Sequence, residues 1–181
     1  MPLSAGSVYV EGTNGDLSDD YLNPTSLVFT PGVNTVSGAL AGGAADLDLF
    51  TFNLSSGQTL TEIKVIDFTG GAAGSLFAMQ SGTQLSSDPV LATINMSFPD
   101  PIANVLISST LAASDFDILP NLVVGPPFNF ANPLPAGDYV VWLNETGAAS
   151  TYSLDFTVVP EPSTLMLFSL ASAVMLFRRR S

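Results

Sequence analysis

Tyr152-Ser153-Leu154-Asp155-Phe156-Thr157-Val158 alternates apolar and polar side chains without a break. Successive side chains of a strand point to opposite faces, so a period of two puts Tyr152, Leu154, Phe156 and Val158 on one inward face. The same reading extends outward along the chain. In Asp48-Leu49-Phe50-Thr51-Phe52-Asn53-Leu54, Phe50, Phe52 and Leu54 share a face. Thr61 to Phe68 alternates too, with Ile63, Val65 and Asp67 facing one way and Glu62, Lys64, Ile66 and Phe68 the other. Gly137 to Leu143 reads as a strand in which Trp142 lies opposite Tyr139, Val141 and Leu143. Further strands are expected at residues 8–11, 27–30, 35–40, 76–80 and 105–108. Turn clusters separate them: Thr13-Asn14-Gly15-Asp16, Ser55-Ser56-Gly57, Gly70-Gly71 and Asn144-Glu145-Thr146-Gly147. No stretch before residue 163 keeps a long 3.6-residue period. The pattern predicts an all-β domain over residues 1–159, a β-sandwich or jelly-roll-like body. Eight of the thirteen prolines fall between Pro89 and Pro135, so residues 89–135 read as long connections over an edge or end of that body.

Composition narrows what such a domain does. With 46% hydrophobic and only 11% charged residues, the body has the means to bury a core. Residues 1–159 hold fifteen acids and one base, Lys64. That surface repels DNA and RNA, which argues against a nucleic-acid partner, and it attracts cations. The chain has no cysteine and no histidine. Disulfides, thiolate or imidazole zinc sites, and Ser–His–Asp or Cys–His catalysis are therefore out of reach. Gly70-Gly71-Ala72-Ala73-Gly74-Ser75 lacks the lysine of a phosphate loop and reads as a turn. No catalytic residue is expected and the chain reads as a non-enzyme. The weaker enzymatic reading is a pair of carboxylates acting on a polysaccharide.

Two acidic groups carry an alternative chemistry. Asn14, Asp16, Ser18 and Asp20 alternate in a loop and offer oxygen ligands. The spacing begins like an EF-hand, but Asp19 stands at position six and Thr25 at position twelve, so it is not one. Asp46 and Asp48 share the entry to a strand. Calcium is the cofactor these residues point to, with Asp16, Asp20, Asp46 and Asp48 as candidate ligands; solvated acids at strand ends explain the same pattern. Trp142, the only tryptophan, is a candidate for stacking on a sugar ring, or else part of a packed face. Together these make a calcium-dependent module binding carbohydrate, such as exopolysaccharide, the alternative function.

The end of the chain has a different character. Pro160-Glu161-Pro162 precedes an uncharged apolar run, 163–177, which is followed by Arg178, Arg179 and Arg180. Three of the four basic residues sit in that cluster. Fifteen helical residues rise roughly 22 Å against a hydrocarbon core of about 30 Å, so the run is a short transmembrane helix aided by arginine snorkelling. The arginines are expected to act as a membrane stop and stay cytoplasmic, with the body outside. Residues 160–181 thus form a unit separate from the body.

This order of Pro-Glu-Pro, apolar run and arginine cluster closely resembles the PEP-CTERM sorting signal of Gram-negative bacteria. The resemblance implies an exosortase, a membrane-embedded cysteine transpeptidase, as partner. It implies cleavage near Pro160-Glu161-Pro162, loss of the helix, and delivery to the cell surface or the exopolysaccharide matrix. Pro160, Glu161 and Pro162 would be substrate residues. Met1 to Val10 has no basic n-region and no apolar h-region; export therefore requires a leader ahead of Met1, and the alternative is a tail-anchored cytoplasmic protein.

Asp46-x-Asp48-x-Phe50-x-Phe52, Gly57, Ala136-Gly137-Asp138-Tyr139 and Tyr152-x-Leu154-x-Phe156 are similar to the bacterial pre-peptidase C-terminal domain over roughly residues 35–159. That likeness implies a small non-catalytic sandwich attached to secreted or surface proteins, sometimes with calcium. The Pro-rich stretch departs from it.

Overall fold

The computed structural model describes residues 5–42, 46–70, 75–86, 103–108, 112–113, 116–123, 130–145 and 147–161. Among them are two sheets. The first runs β1 (Ala5–Val10), β3 (Gly32–Leu40), β9 (Ser150–Pro160), β5 (Gln58–Gly70). The second runs β2 (Thr25–Leu27), β4 (Leu47–Leu54), β8 (Gly137–Asn144), β6 (Ser75–Ser81), β7 (Ala103–Ile107). Only β1–β3 and β2–β4 pair in parallel; every other ladder is antiparallel. One helical turn, α1 (Glu11–Asn14), follows β1, and a short 3-10 turn spans Leu119–Val123.

The sheets pack face to face because each turns one apolar face to the other. Tyr152, Leu154, Phe156 and Val158 of β9 are buried as their alternation predicts, and they meet Phe50, Phe52 and Leu54 of β4 in a single core. Phe156 is its centre. Its ring lies 5.1 Å from Phe29, 5.8 Å from Phe52 and 5.9 Å, edge-on, from Phe50. Aromatic contacts of this kind add to the gain from burial alone.

The second sheet is buried on its other face as well. Leu47, Leu49, Ala78, Val140 and Trp142 form a smaller cluster with Leu85, and Tyr21 packs on it. Ser18 extends this sheet by a bridge to β4, accepting from Leu49 N–H, and Tyr21 O accepts from Leu85 N–H, which ties the two covering segments together. Double coverage explains the continuous apolar run Tyr139-Val140-Val141-Trp142-Leu143, all of it buried.

Strand β5 departs from the expected strict alternation. Ile63 and Val65 are buried, and so is Phe68, which the period of two puts on the opposite face. The cause is an irregularity in pairing with β9 between Val65 and Asp67, and another between Leu60 and Glu62. An extra residue in one strand shifts the phase by one and turns every later side chain over. Ile66 and Asp67 are left exposed.

Within the Pro-rich region, residues expected to be connections, Ala103–Ile107 instead form edge strand β7 on β6, while Asp117, Ile118 and Leu134 lie along the free edge of β5. Leu60 and Leu134 exchange backbone hydrogen bonds of 3.0 and 2.8 Å, and Ile118 N–H donates to Ile63 O at 2.8 Å. Asp117 accepts from Ile63 N–H at 3.0 Å. Ile118, Leu119, Leu122 and Leu134 join the core from this cover. An exposed edge invites pairing with other chains, and the cover removes that hazard over half of β5.

Among the described residues no helix is long and apolar enough to cross a membrane. The helix expected at 163–177, Pro162 and Arg178–Arg180 lie outside the described residues.

Phe156→Ala is expected to lower unfolding free energy by about 3–5 kcal/mol, read from urea denaturation. Ile66→Ala, on the exposed side of β5, is expected to change it by less than about 0.5 kcal/mol.

Candidate functional site

Two places in the fold gather chemistry: an acidic cluster at one end of the two sheets, and the junction between β9 and the tail.

The acidic cluster is Glu11, Asp16 and Asp48, with one carboxylate oxygen from each lying within 4.8 Å of the others. Glu11 opens the helical turn after β1. Its Oε1 accepts from Leu17 N–H at 3.1 Å and its Oε2 from Ala39 N–H at 2.7 Å, which fixes the carboxylate between the N-terminal loop and β3. The loop is held from its other side by Tyr9, whose hydroxyl donates to Gly15 O at 3.1 Å. Val10 N–H donates to Asn14 Oδ1 at 2.9 Å and closes the turn. These contacts deliver Asp16 to the rim, where it stays exposed.

Asp48 comes from the opposite sheet. It lies on the face of β4 that continues into Phe50 and Phe52, so it is drawn into the end of the core and is fully buried. Neither of its oxygens makes a hydrogen bond of good geometry, and neither does the buried Tyr152 hydroxyl beside it. Burial raises the Asp48 carboxyl to about 8; Tyr152 works against that shift, while the charges of Glu11 and Asp46 add to it. Burial, and then Asp48, hold the Tyr152 hydroxyl well above its ordinary value, so it stays neutral. Asp16 is raised as well, by burial first and then by Asp46 and Asp19.

Gly38 makes this convergence sterically feasible. It pairs with Tyr152 across β3 and β9. A Cβ at Gly38 would stand 2.5 Å from the Tyr152 hydroxyl and 2.8 Å from the Glu11 carboxylate. An open cleft of about 300 Å³ reaches Glu11, Gly38 and Tyr152 from outside.

The candidate calcium ligands separate accordingly. Asp16 and Asp48 meet. Asp46 lies near enough to raise both, but its carboxylate accepts from Ala41 N–H. Asp20 is exposed and stays in its own turn, where it accepts from Asn23 Nδ2 at 2.7 Å and Leu22 N–H at 3.0 Å; these bonds lower its pKa. Glu11 escaped the sequence reading because nothing in its local spacing links it to Asp48, which lies in another sheet. Glu145 is also buried, but it is satisfied by Ser75 and by Gly147 N–H. Trp142 is fully buried in the smaller cluster, so its ring offers no face to a sugar.

At the other site, β9 runs straight into the tail. Val158 is buried in the core, Pro160 stands opposite Gln58 of β5, and Glu161 N–H donates to Gly57 O at 2.7 Å. Gly57 turns at φ 83°, a backbone conformation glycine adopts without strain. Pro160 has no N–H to lose at the end of the ladder. A family model for the PEP-CTERM protein-sorting motif matches residues 158–180.

The tail carries a PEP-CTERM protein-sorting motif. The matched segment therefore begins inside the sheet, at a core residue, and leaves it at Glu161. No curated protein matches the chain. Among solved structures, Aeromonas hydrophila PliG, a periplasmic lysozyme inhibitor of g-type lysozyme, is similar at 14% identity. The likeness covers 74% of this chain and 96% of that one at a TM-score of 0.38, too distant to carry an argument.

The pH dependence of stability follows from Asp48. Its folded value of about 8 lies above the ordinary value of 3.8. Between these the unfolded chain releases a proton that the folded chain keeps, so stability falls as pH rises from about 4 to about 8. In EDTA the slope attributable to this group is at most about 1.4 kcal/mol per pH unit. Asp48→Asn is expected to remove that share of the slope in urea melts across this range.

Proposed function

We propose that this chain is an exported, non-catalytic protein that an exosortase sorts through its PEP-CTERM motif, with the cell surface or extracellular matrix of a Gram-negative bacterium as destination. The observation that carries the reading is the matched motif at residues 158–180. Its setting supports it: the motif joins the folded body with no intervening linker. In this reading the apolar run holds the precursor in the membrane and the two-sheet body is the cargo. The exosortase meets Pro160-Glu161-Pro162 where the chain leaves β9. Cleavage beyond Glu161 leaves every described strand whole, so the body survives loss of the tail.

The absence of histidine and cysteine supports a non-catalytic body. Its many acids keep it soluble outside the cell. The likeness to the pre-peptidase C-terminal domain points the same way, as a resemblance of loose motifs. The carbohydrate-binding alternative loses its main residue with the burial of Trp142.

The test is the intact mass of the protein recovered from its native cell surface. We expect loss of the residues beyond the Pro160–Pro162 region, with or without an added group. A mass that includes Ser181 would make the tail a permanent anchor and end the exosortase reading. In a strain expressing Glu161→Ala, the expected outcome is an uncut precursor in the membrane fraction, seen by immunoblot.

A further inference from the structure

We propose that Glu11, Asp16 and Asp48 hold one Ca²⁺ that fastens the N-terminal segment to both sheets. Three observations carry this. One oxygen from each carboxylate lies within 4.8 Å of the others. Oxygens on opposite sides of a single Ca²⁺ are about 5 Å apart, so the spread suits a shared ion. Second, Asp48 is fully buried with both oxygens lacking a well-formed hydrogen bond, and the buried Tyr152 hydroxyl beside it is in the same condition. Buried polar atoms are nearly always well partnered; Asp48 and Tyr152 lean on each other and on Glu11 without a well-formed bond, which leaves room for a cation among them. Third, the described residues include a single lysine and no arginine. The one base before residue 160, Lys64, is paired with Glu62 at 3.2 Å.

The donors are all oxygen, which selects a hard cation over zinc or copper. Glu11 and Asp16 come from the segment after β1, Asp48 comes from β4 in the other sheet, and Gly38 of β3 leaves the space. Water reaching the cleft beside Glu11 completes the shell. Bound there, the ion joins the end of β1, the loop after it and the entry of β4. The site belongs to the body and does not depend on the tail.

The test uses the full-length chain in mild detergent, stripped with EDTA and titrated with CaCl₂ by calorimetry, with Tb³⁺ luminescence as a second readout. One Ca²⁺ per chain is expected, with a Kd of about 10⁻⁴ M or tighter, together with tyrosine-sensitised Tb³⁺ emission that Ca²⁺ displaces. Asp16→Asn changes an exposed residue and should leave the fold intact while weakening binding at least tenfold. Asp48→Asn should abolish binding yet raise the melting temperature of the EDTA-treated protein, a pair of opposite effects that misfolding cannot produce. Asp20→Asn should bind as the parent does. Ca²⁺ should slow amide exchange in residues 9–17 and 47–50 and leave β6 unchanged. Absence of binding at millimolar Ca²⁺ would overturn the proposal and leave Asp48 as a protonated buried carboxyl. Binding that survives Asp16→Asn and Asp48→Asn would place the ion elsewhere and overturn it as well. Tighter binding of Mg²⁺ than of Ca²⁺ would overturn the choice of ion.

Discussion

Strand β9 is held by backbone ladders on both sides, by β3 from Gly32–Val158 to Leu40–Ser150 and by β5 from Gln58–Pro160 to Gly70–Ser150. Three features depend on that double pairing. It sets Phe156 at the centre of the aromatic core, where Phe29, Phe50 and Phe52 close around it. It fixes Tyr152 opposite Gly38 and so builds the floor of the acidic site. It also carries the chain out of the body at Glu161, still tied to Gly57. A register slip of one residue would turn all three inside out, because side chains on a strand alternate faces.

The two functional places lie at opposite ends of this strand. Tyr152, near its start, touches the acidic cluster; Pro160, at its end, begins the sorting motif. The separation gives the molecule a division of labour. The tail can be recognised and removed without disturbing the cluster, and the N-terminal segment can be pinned or released without disturbing the exit of the chain. The Thr35–Asp155 and Ser37–Ser153 hydrogen bonds stiffen the outer side of the strand between the two places.

The core buries a carboxyl at a position where an apolar residue would pack more simply. Burying Asp48 without a strong partner is costly, and the group responds by holding its proton. Residues that break the pattern of their own strand are expected at sites with a task. Asp48 breaks it on the same face as Phe50 and Phe52, and Glu11, Tyr152 and Gly38 converge on it from three other elements.

The sequence alone determined much of this. Alternation located most strands, because period two follows from the pleat itself: Tyr152 to Val158 and Phe50 to Leu54 face inward as read. The tail was legible because sorting motifs are read as linear sequence. Of the four acidic candidates, Asp16 and Asp48 come together, Asp46 lies near them, and Asp20 bonds within its own turn. The tertiary structure alone decided the rest. The irregularities in β5 brought Phe68 inward, since a one-residue shift in pairing leaves no mark on a single strand's pattern. Cover from Tyr21 and Leu85 buried Trp142, because a strand's second face is exposed or hidden by whatever crosses it. Glu11 reached Asp48 only through the packing of two sheets, and contacts distant in sequence cannot be read from spacing within one segment.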